Sequence, residues 1–187
     1  MLRWLVLMVL GLAAATAAPG SAAQWRVDPT KSRIAVQFDQ GGKPIEARFE
    51  SFQAEVTFDP KDLAAARVVI TVDLASFRSG DAQRDQMATA GEFLAAGAAG
   101  TARYVTRNLK AMGGDRYEVA AELALKGATK SLTHPATITI KGDEAHAQGE
   151  AKLDRLAFGI GSGQFPRGDQ VGLTVLVRFD LVAERAG

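Results

Sequence analysis

The sequence predicts an all-β protein whose strands close into an extended eight-stranded antiparallel β-barrel, with one short helical insertion near residues 79–90. Apolar and polar residues alternate with period two along most of the chain, as in strands that bury one face. Turn-forming pairs such as Gly41-Gly42 and Gly113-Gly114 separate the alternating segments. Parallel strands would need helical crossovers, so strands joined by such short turns are expected to be antiparallel.

The alternating segments give about eight or nine strands. In the first of them, Ile34, Val36 and Phe38 fall on one face. A sheet of this size with one apolar face removes its exposed edges by closing into a barrel. A barrel of about eight strands has room inside for side chains or one small ligand, as in lipocalin-like proteins. The predicted strands cover residues 33–38, 52–58, 67–74, 102–109, 117–125, 136–141, 145–153 and 172–182.

Residues 79–88 depart from the strand pattern. They are polar, contain no β-branched residue and begin with helix-capping types, which predicts a short helix. Such a helix could cover the mouth of a barrel, or it could belong to a long surface connection. A loop of small residues is expected over 95–100, and a turn or brief helix over 64–66.

The first 23 residues have the three regions of a secretory signal peptide. Arg3 supplies a positive charge, residues 4–15 form an apolar run, and Ser21 and Ala23 suit a signal peptidase. The run is shorter than the roughly 20 residues of a spanning helix. The prediction is therefore a signal peptide over 1–23, a barrel domain over 24–187 and a periplasmic location. An uncleaved N-terminal anchor is the alternative.

Composition excludes several classes of function. The whole chain has 22 Lys and Arg residues against 21 Asp and Glu residues. Removal of Arg3 with the signal peptide would balance the charges, which argues against nucleic-acid binding. The sequence contains no Cys, so disulfides, thiolate catalysis and cysteine-bound metals are excluded.

A series of short motifs resembles the YceI-like family of exported polyisoprenoid-binding proteins. The motifs follow one another in the family's order across nearly the whole of residues 24–187. Lys31 departs from the pattern, since many relatives have a histidine there, and no role is transferred to it. The matching segments are Trp25-x-Val27-Asp28-Pro29, Arg48-Phe49-x-x-Phe52, Val56-x-Phe58-Asp59-Pro60, Ser79-Gly80 with Arg84-Asp85-x-Met87, Leu123-x-Leu125-Lys126-Gly127-x-Thr129-Lys130 and Arg155-x-x-Phe158-Gly159-Ile160-Gly161.

The resemblance implies an eight-stranded barrel around a long apolar tunnel that holds an isoprenoid chain, such as a quinone tail or a polyprenyl lipid. Some family members accompany membrane cytochromes of the b561 type, so the resemblance implies such a cytochrome as a partner. Either a monomer or a homodimer is compatible with the family. No cofactor is expected beyond the bound lipid itself.

Candidate ligand-binding residues follow from the apolar faces of the strands and from the helical insertion. Arg84 and Asp85 are candidates for binding a polar head group; the alternative is that they are solvated charges on the helix, with Met87 in the core. Alternation alone does not separate tunnel walls from a filled core. The candidates for the apolar tunnel are Ile34, Val36, Phe38, Val56, Ile70, Val72, Met87, Phe93, Leu123, Phe158, Val175 and Val177.

The sequence offers little support for catalysis or metal binding. Its two histidines, His134 and His146, are expected at the surface, and their spacing matches no ligand pair. The glycines of residues 159–163 lack the helix and Lys of a phosphate loop, so they are expected to bend a barrel strand. Arg155 is expected to pair with Asp154 or another surface carboxylate, or to stack on an aromatic ring.

Three hypotheses of different kinds follow. The leading one is a non-enzymatic periplasmic carrier of an isoprenoid lipid. The second is a structural or interaction protein with a filled barrel, which acts through a membrane or periplasmic partner and carries no lipid. The third is an enzyme that acts on a hydrophobic substrate inside the barrel, with Arg84, Asp85 or His134 as the groups to test.

Overall fold

The structure is a computed structural model that describes residues 23–186. Strands dominate it, as the alternation predicted. Two α-helices are present in this part of the chain: α1 at Ala82–Thr89 and α2 at Ala96–Ala99. The strands are β1 (Gln24–Val27), β2 (Arg33–Gln40), β3 (Lys43–Phe49), β4 (Phe52–Thr57), β5 (Arg67–Asp73), β6 (Phe77–Arg78), β7 (Thr101–Ala111), β8 (Arg116–Leu125), β9 (Ala128–Lys141), β10 (Glu144–Asp154) and β11 (Val171–Arg185).

Eight of these strands form a closed antiparallel ring, which confirms the predicted barrel. The order around the ring is β1, β4, β5, β7, β8, β9, β10 and β11, and β11 pairs back onto β1. At 15 residues, β11 is long enough to pair with two successive strands. Trp25 of β1 lies opposite Arg185, and Ile34 of β2 lies opposite Phe179. The strands β2, β3 and β6 thereby continue the wall beyond the end of β1.

The break between β1 and β2 is a tight polar turn. Asp28 follows the last residue of β1, and its Oδ1 accepts hydrogen bonds from the backbone N–H and hydroxyl of Thr30, at 2.9 and 2.7 Å. These hydrogen bonds lower the pKa of Asp28 below its ordinary value. In an Asx turn of this kind, the aspartate side chain bonds to nearby backbone in place of a strand partner. The chain can therefore leave the path of β1 before β2 begins.

The strands predicted from alternation lack β1, β3 and β6, and they include only the last part of β9. Alternation did not give β3 as a separate strand, because its residues include Pro44 and several exposed charges. Proline is tolerated there because the other neighbour of β3 is the two-residue strand β6. β9 begins at Ala128 and not at residue 136, and Pro135 lies within it. β10 pairs with β9 only from Ala136 onward, so Pro135 interrupts no ladder on that side.

One end of the barrel is filled by large side chains. Trp25, Phe58, Leu109 and Tyr117 form a buried cluster there. The indole N–H of Trp25 donates to the carbonyl of Phe58 at 2.8 Å, and the Phe58 and Tyr117 rings meet edge to face. The guanidinium of Arg185 lies 4.6 Å from the centre of the Trp25 ring. This end is called the closed end below.

The opposite end carries the helical insertion, which confirms the predicted helix. The Asp81 carboxylate accepts from the backbone N–H of Arg84 at 2.9 Å and caps α1. The small-residue segment expected to be a loop contains α2, a single helical turn. The brief helix expected near 64–66 is a 3-10 turn at Leu63–Ala65. Among residues 23–186, no helix has the length and apolar character needed to cross a membrane.

Candidate ligand-binding site

The barrel encloses an apolar cavity of about 640 Å³ between the closed end and the helical insertion. This volume falls within the roughly 300–1,000 Å³ that is usual for small-molecule sites. Its origin is visible in the inward positions of the strands, several of which carry alanine. Ala102, Ala145, Ala147 and Ala151 all line the cavity. Because alanine leaves space that a leucine or valine would fill, the interior stays open.

The twelve apolar residues predicted from the sequence all line this cavity. They come from five strands, from α1 and from the segments on either side of the mouth, so the fold gathers residues that are far apart in sequence. Their contact with a ligand stays a prediction. The twelve are Ile34, Val36, Phe38, Val56, Ile70, Val72, Met87, Phe93, Leu123, Phe158, Val175 and Val177.

Of the two predicted head-group residues, the structure brings Arg84 to the cavity but not Asp85. The Nε of Arg84 donates to Oε1 of Gln40 at 2.9 Å, and its Nη1 lies 3.3 Å from the Ser79 hydroxyl. Asp85 accepts from the backbone N–H and the hydroxyl of Ser79, at 2.7 and 2.6 Å. The Ser79 hydroxyl is the main cause that lowers the pKa of Asp85. Asp85 therefore orders the start of α1, while Arg84 lies at the mouth.

Glu92 joins the two loops that border the mouth. Its carboxylate accepts from the backbone N–H groups of Gly163 and Gln164, at 2.8 and 3.0 Å. These two donors hold the pKa of Glu92 below its ordinary value. Its carbonyl accepts from the N–H of Gly161 at 2.9 Å. The segment after α1 is thereby tied to the loop between β10 and β11.

Lys126 supports the same contact from the β8–β9 hairpin. Lys126 and Gly127 both have positive φ values, 50° and 78°, as a tight two-residue turn requires. The Lys126 ammonium donates to the carbonyls of Glu92 and Gly159, at 2.7 and 3.0 Å. The Lys126 side chain is therefore engaged with backbone carbonyls of the mouth.

The expectation that Arg155 pairs with a surface carboxylate was wrong. Arg155 is 2% exposed and its guanidinium donates to backbone carbonyls of the loop between β10 and β11. Its Nε donates to Gly172 at 3.0 Å and its Nη1 to Ile160 at 2.7 Å. Its Nη2 donates to Val171 at 2.9 Å and to Phe165. The loop curls around this one side chain because each carbonyl it buries needs a donor.

The glycines of residues 159–163 do not bend a barrel strand, which corrects that expectation. Gly159 ends the 3-10 helix Arg155–Phe158 with φ 66°, and its N–H donates to the carbonyl of Leu156. Gly161 also has a positive φ, 64°, and an added Cβ would lie 3.1 Å from Nη1 of Arg155. Both glycines serve the loop that surrounds Arg155, where a left-handed backbone is required.

The expectation of a surface position for His134 was also wrong. His134 is 4% exposed and lines the cavity. Its Nε2 lies 2.8 Å from the Tyr104 hydroxyl, and its Nδ1 lies 3.0 Å from the carbonyl of Pro135. Burial lowers the pKa of His134 and raises the pKa of Tyr104, so both side chains are neutral near pH 7. Alternate residues of a strand face the same side of the sheet, and this rule could have found the pair. Tyr104 shares the cavity face of its strand with Ala102, and His134 shares that of its strand with Ala136.

His146 is at the surface, as expected. Its Nε2 lies 2.6 Å from Oδ1 of Asp180 on the neighbouring strand, and this contact lowers the pKa of Asp180. In the described part of the chain, no cluster of three or more His, Cys, Asp or Glu side chains could hold a metal ion.

A closed barrel with an apolar interior, one filled end and one end bordered by a helix and loops defines a container for a hydrophobic molecule. The family model of the YceI-like domain matches residues 25–183. The chain belongs to the YceI-like family.

Relatives of similar length match the chain over most of both sequences. A UPF0312 protein of Pseudomonas paraeruginosa is 30% identical over 184 residues, which cover 94% of this chain and 96% of the relative. A UPF0312 protein of Vibrio cholerae is 30% identical over 165 residues, covering 82% and 87%.

Solved structures share the fold. Burkholderia cenocepacia BcnA superposes with a TM-score of 0.80 at 30% identity, covering 83% of this chain and 98% of that one. A polyisoprenoid binding domain from Saccharophagus degradans, implicated in plant cell wall breakdown, gives a TM-score of 0.72 at 14% identity, covering 88% and 99%. The YCEI protein of Campylobacter jejuni gives 0.69 at 15% identity, covering 76% and 85%.

Proposed function

We propose that this protein is a non-enzymatic carrier that encloses an isoprenoid lipid, a quinone or a polyprenyl chain, in the barrel cavity. The observation that supports the proposal is the open apolar interior of about 640 Å³. A barrel that served only as a scaffold would gain stability by filling that space with side chains. The name of the Saccharophagus degradans neighbour, a polyisoprenoid binding domain, agrees with this ligand class.

The hydrophobic effect supplies the affinity for such a ligand. Each methylene group transferred from water contributes about 0.8 kcal/mol, so ten enclosed carbons contribute roughly 8 kcal/mol before ordering costs. The cavity walls are apolar along β2, β5 and β11, where Val36, Ile70 and Val177 face inward. A hydrocarbon chain makes no hydrogen bonds to water, so it loses none when it enters the cavity.

Arg84 is the head-group candidate that this proposal keeps at the mouth. Its guanidinium bonds to Gln40 and lies near Ser79, and it lines the cavity rim with Met87. A cation there would attract a phosphate or another anionic head group while the chain lies below it. Asp85 takes part indirectly, since it shares the Ser79 hydroxyl with Arg84.

The first experiment is native mass spectrometry of the mature chain purified from a bacterial periplasm, followed by extraction of anything bound. We expect a stoichiometric adduct that releases a quinone or polyprenyl lipid. A mass equal to the bare chain, unchanged after incubation with quinones, would contradict the proposal. That result would favour the alternative of a structural protein that acts through a partner and carries no lipid.

We further propose that the signal peptide over 1–23 exports the protein to the periplasm, where a carrier could move a lipid through water. Residues 1–22 lie outside the described residues. N-terminal sequencing of the periplasmic protein should give Gln24 as the first residue, whereas a full-length chain found only in membranes would indicate an anchor. A membrane cytochrome of the b561 type is the proposed partner, and cross-linking in cells would test this and separate a monomer from a homodimer.

A further inference from the structure

The pair formed by Tyr104 and His134, here called the polar anchor, places two hydrogen-bonding side chains in a mostly apolar cavity wall; the nearby Thr106 hydroxyl is engaged by the backbone of Val68. Both side chains of the polar anchor line the cavity. The Tyr104 ring packs against the buried cluster of Ile34, Ile70 and Leu181, midway between the closed end and the mouth. The neighbouring Phe179 ring meets His134 edge to face, with centroids 5.6 Å apart. An apolar lipid chain alone has no use for hydrogen-bonding groups at this depth.

The hydrogen bonds fix which atoms of the polar anchor donate. The carbonyl of Pro135 can only accept, so the Nδ1 of His134, 3.0 Å away, carries the proton. In the neutral ring the Nε2 then has a lone pair, and the Tyr104 hydroxyl donates to it across 2.8 Å. The His134 ring has then used both of its nitrogens. What remains is the phenol oxygen of Tyr104, whose lone pairs can accept one more hydrogen bond.

We infer that the polar anchor accepts a hydrogen bond from a donor group, a hydroxyl or an amide N–H, on a ligand inside the barrel. The inference rests on the proposed carrier function and narrows its ligand class: an anionic head group would lie beside Arg84 at the mouth, whereas a neutral hydroxyl would lie at the polar anchor. An ether or a quinone carbonyl can only accept hydrogen bonds. Such a group could bind Tyr104 only if the phenol O–H of Tyr104 turned away from His134 and toward the ligand. That turn would leave the buried Nε2 without a partner, which is unfavourable. Of a quinone and its reduced quinol, the quinol fits the anchor.

Two probes of nearly equal shape separate these cases. Geranylgeraniol carries a terminal hydroxyl, and its methyl ether has the same chain and oxygen but no donor. We expect delipidated wild-type protein to bind the alcohol about tenfold more tightly, as one neutral hydrogen bond allows. Competition between the two probes, quantified by native mass spectrometry, measures this ratio directly.

Variants of the polar anchor test whether the preference arises there. The double variant Tyr104→Phe/His134→Leu removes both hydrogen-bonding side chains and should reduce the ratio to about one. Tyr117→Phe should leave the ratio unchanged, because Tyr117 lies in the closed-end cluster and does not line the cavity. His134→Leu frees the Tyr104 O–H to donate to a ligand, so this variant should bind the ether nearly as well as the alcohol. Circular dichroism and thermal melting would establish that each variant is folded.

The outcomes separate the inference from the carrier proposal. Equal binding of both probes by the wild type would overturn the inference and leave the carrier function intact. A preference that survives in Tyr104→Phe/His134→Leu but disappears in Arg84→Gln would also overturn it, because the hydroxyl would then lie at the mouth. Binding of neither probe would overturn both proposals.

Discussion

Arg155 and His134 are buried polar side chains whose hydrogen bonds go to backbone carbonyls and to a phenol. Arg155 organises the loop between β10 and β11, and His134 lies in the cavity wall. Their partners are both local and distant in sequence: His134 contacts the carbonyl of the adjacent Pro135 as well as Tyr104, and Arg155 reaches Ile160 as well as Gly172. Among the described residues, no buried side-chain nitrogen or oxygen lacks a hydrogen-bond partner. Buried polar atoms without a partner would lower the stability of the fold, and hydrogen bonds prevent that loss here.

Replacing Arg155 should destabilise the protein strongly. Arg155→Gln would leave several buried carbonyls of the loop without donors, and we expect a loss of about 3–5 kcal/mol in the free energy of unfolding. Urea denaturation followed by circular dichroism measures it. Arg167→Gln is the matched control, because Arg167 lies in the same loop with an exposed side chain, and it should change stability little. Equal losses in both variants would contradict the role assigned to Arg155.

His134 should make stability depend on pH below neutrality. Burial lowers its pKa in the folded state, so the unfolded chain binds the proton more readily. The stabilisation is complete above the unfolded value of about 6.5 and is lost as the pH falls below it. We expect wild-type stability to decrease between pH 7 and pH 5, by at most about 1.4 kcal/mol per pH unit.

The comparison variant for this pH dependence is His134→Gln, which does not titrate. Its urea midpoints should change less over the same range. The aspartates and glutamates with lowered pKa values lose their stabilisation below the unfolded values of about 4, outside this window. Parallel pH profiles for the two proteins would rule out this role for His134.

At the scale of elements, the mouth is built from pieces that have little packing of their own. Helix α1 has no buried residue and α2 is a single turn. Their positions depend on polar contacts: Asp81 caps α1, Asp85 holds Ser79, and Glu92 joins the two loops. Elements held by few contacts open more readily than the strands of the barrel. The mouth is therefore the part of the molecule where entry of a ligand would cost least.

Loss of the Glu92 carboxylate should loosen the mouth without unfolding the barrel. Glu92→Ala removes the acceptor for the N–H groups of Gly163 and Gln164. We expect hydrogen exchange to accelerate severalfold at those two amides, while the amides of β8 and β9 stay protected. Glu144→Ala at the start of β10 is the control, since that exposed carboxylate is near the closed end. Unchanged exchange at residues 163 and 164 would contradict the linking role.

The whole molecule combines a rigid ring of eight strands with an interior that its side chains leave partly empty. The closed end is filled by aromatic rings, and alanines along the wall leave space in the cavity. Filling the centre would add contacts, so the cavity is maintained at a cost in stability. Such a cost is expected where the space itself has a function.

Filling the cavity should abolish binding while the barrel stays folded. Val72 on β5 lines the cavity, and Val72→Trp would place an indole in the space proposed for the lipid. We expect loss of the lipid adduct in native mass spectrometry and a stability change of about 1–3 kcal/mol. Thr71→Trp adds the same ring at the next position, which does not line the cavity, and should bind as the wild type does. Full uptake by Val72→Trp would contradict the site.

The sequence by itself determined the barrel, the position of α1 and the identity of the inward-facing apolar residues. These features follow from local rules, because strand alternation has period two and turns need particular residues. Local rules failed at β3, where Pro44 and charges obscured the alternation, and at the start of β9.

Only the tertiary structure decided whether the interior is open and which polar groups meet inside it. The volume left in a barrel depends on the side chains of all eight strands together, so no single segment reveals it. Tyr104 and His134 are 30 residues apart, and Arg155 reaches Gly172 across 17 residues. Contacts of this range are made by the closure of the ring and the path of its loops, which no local pattern encodes.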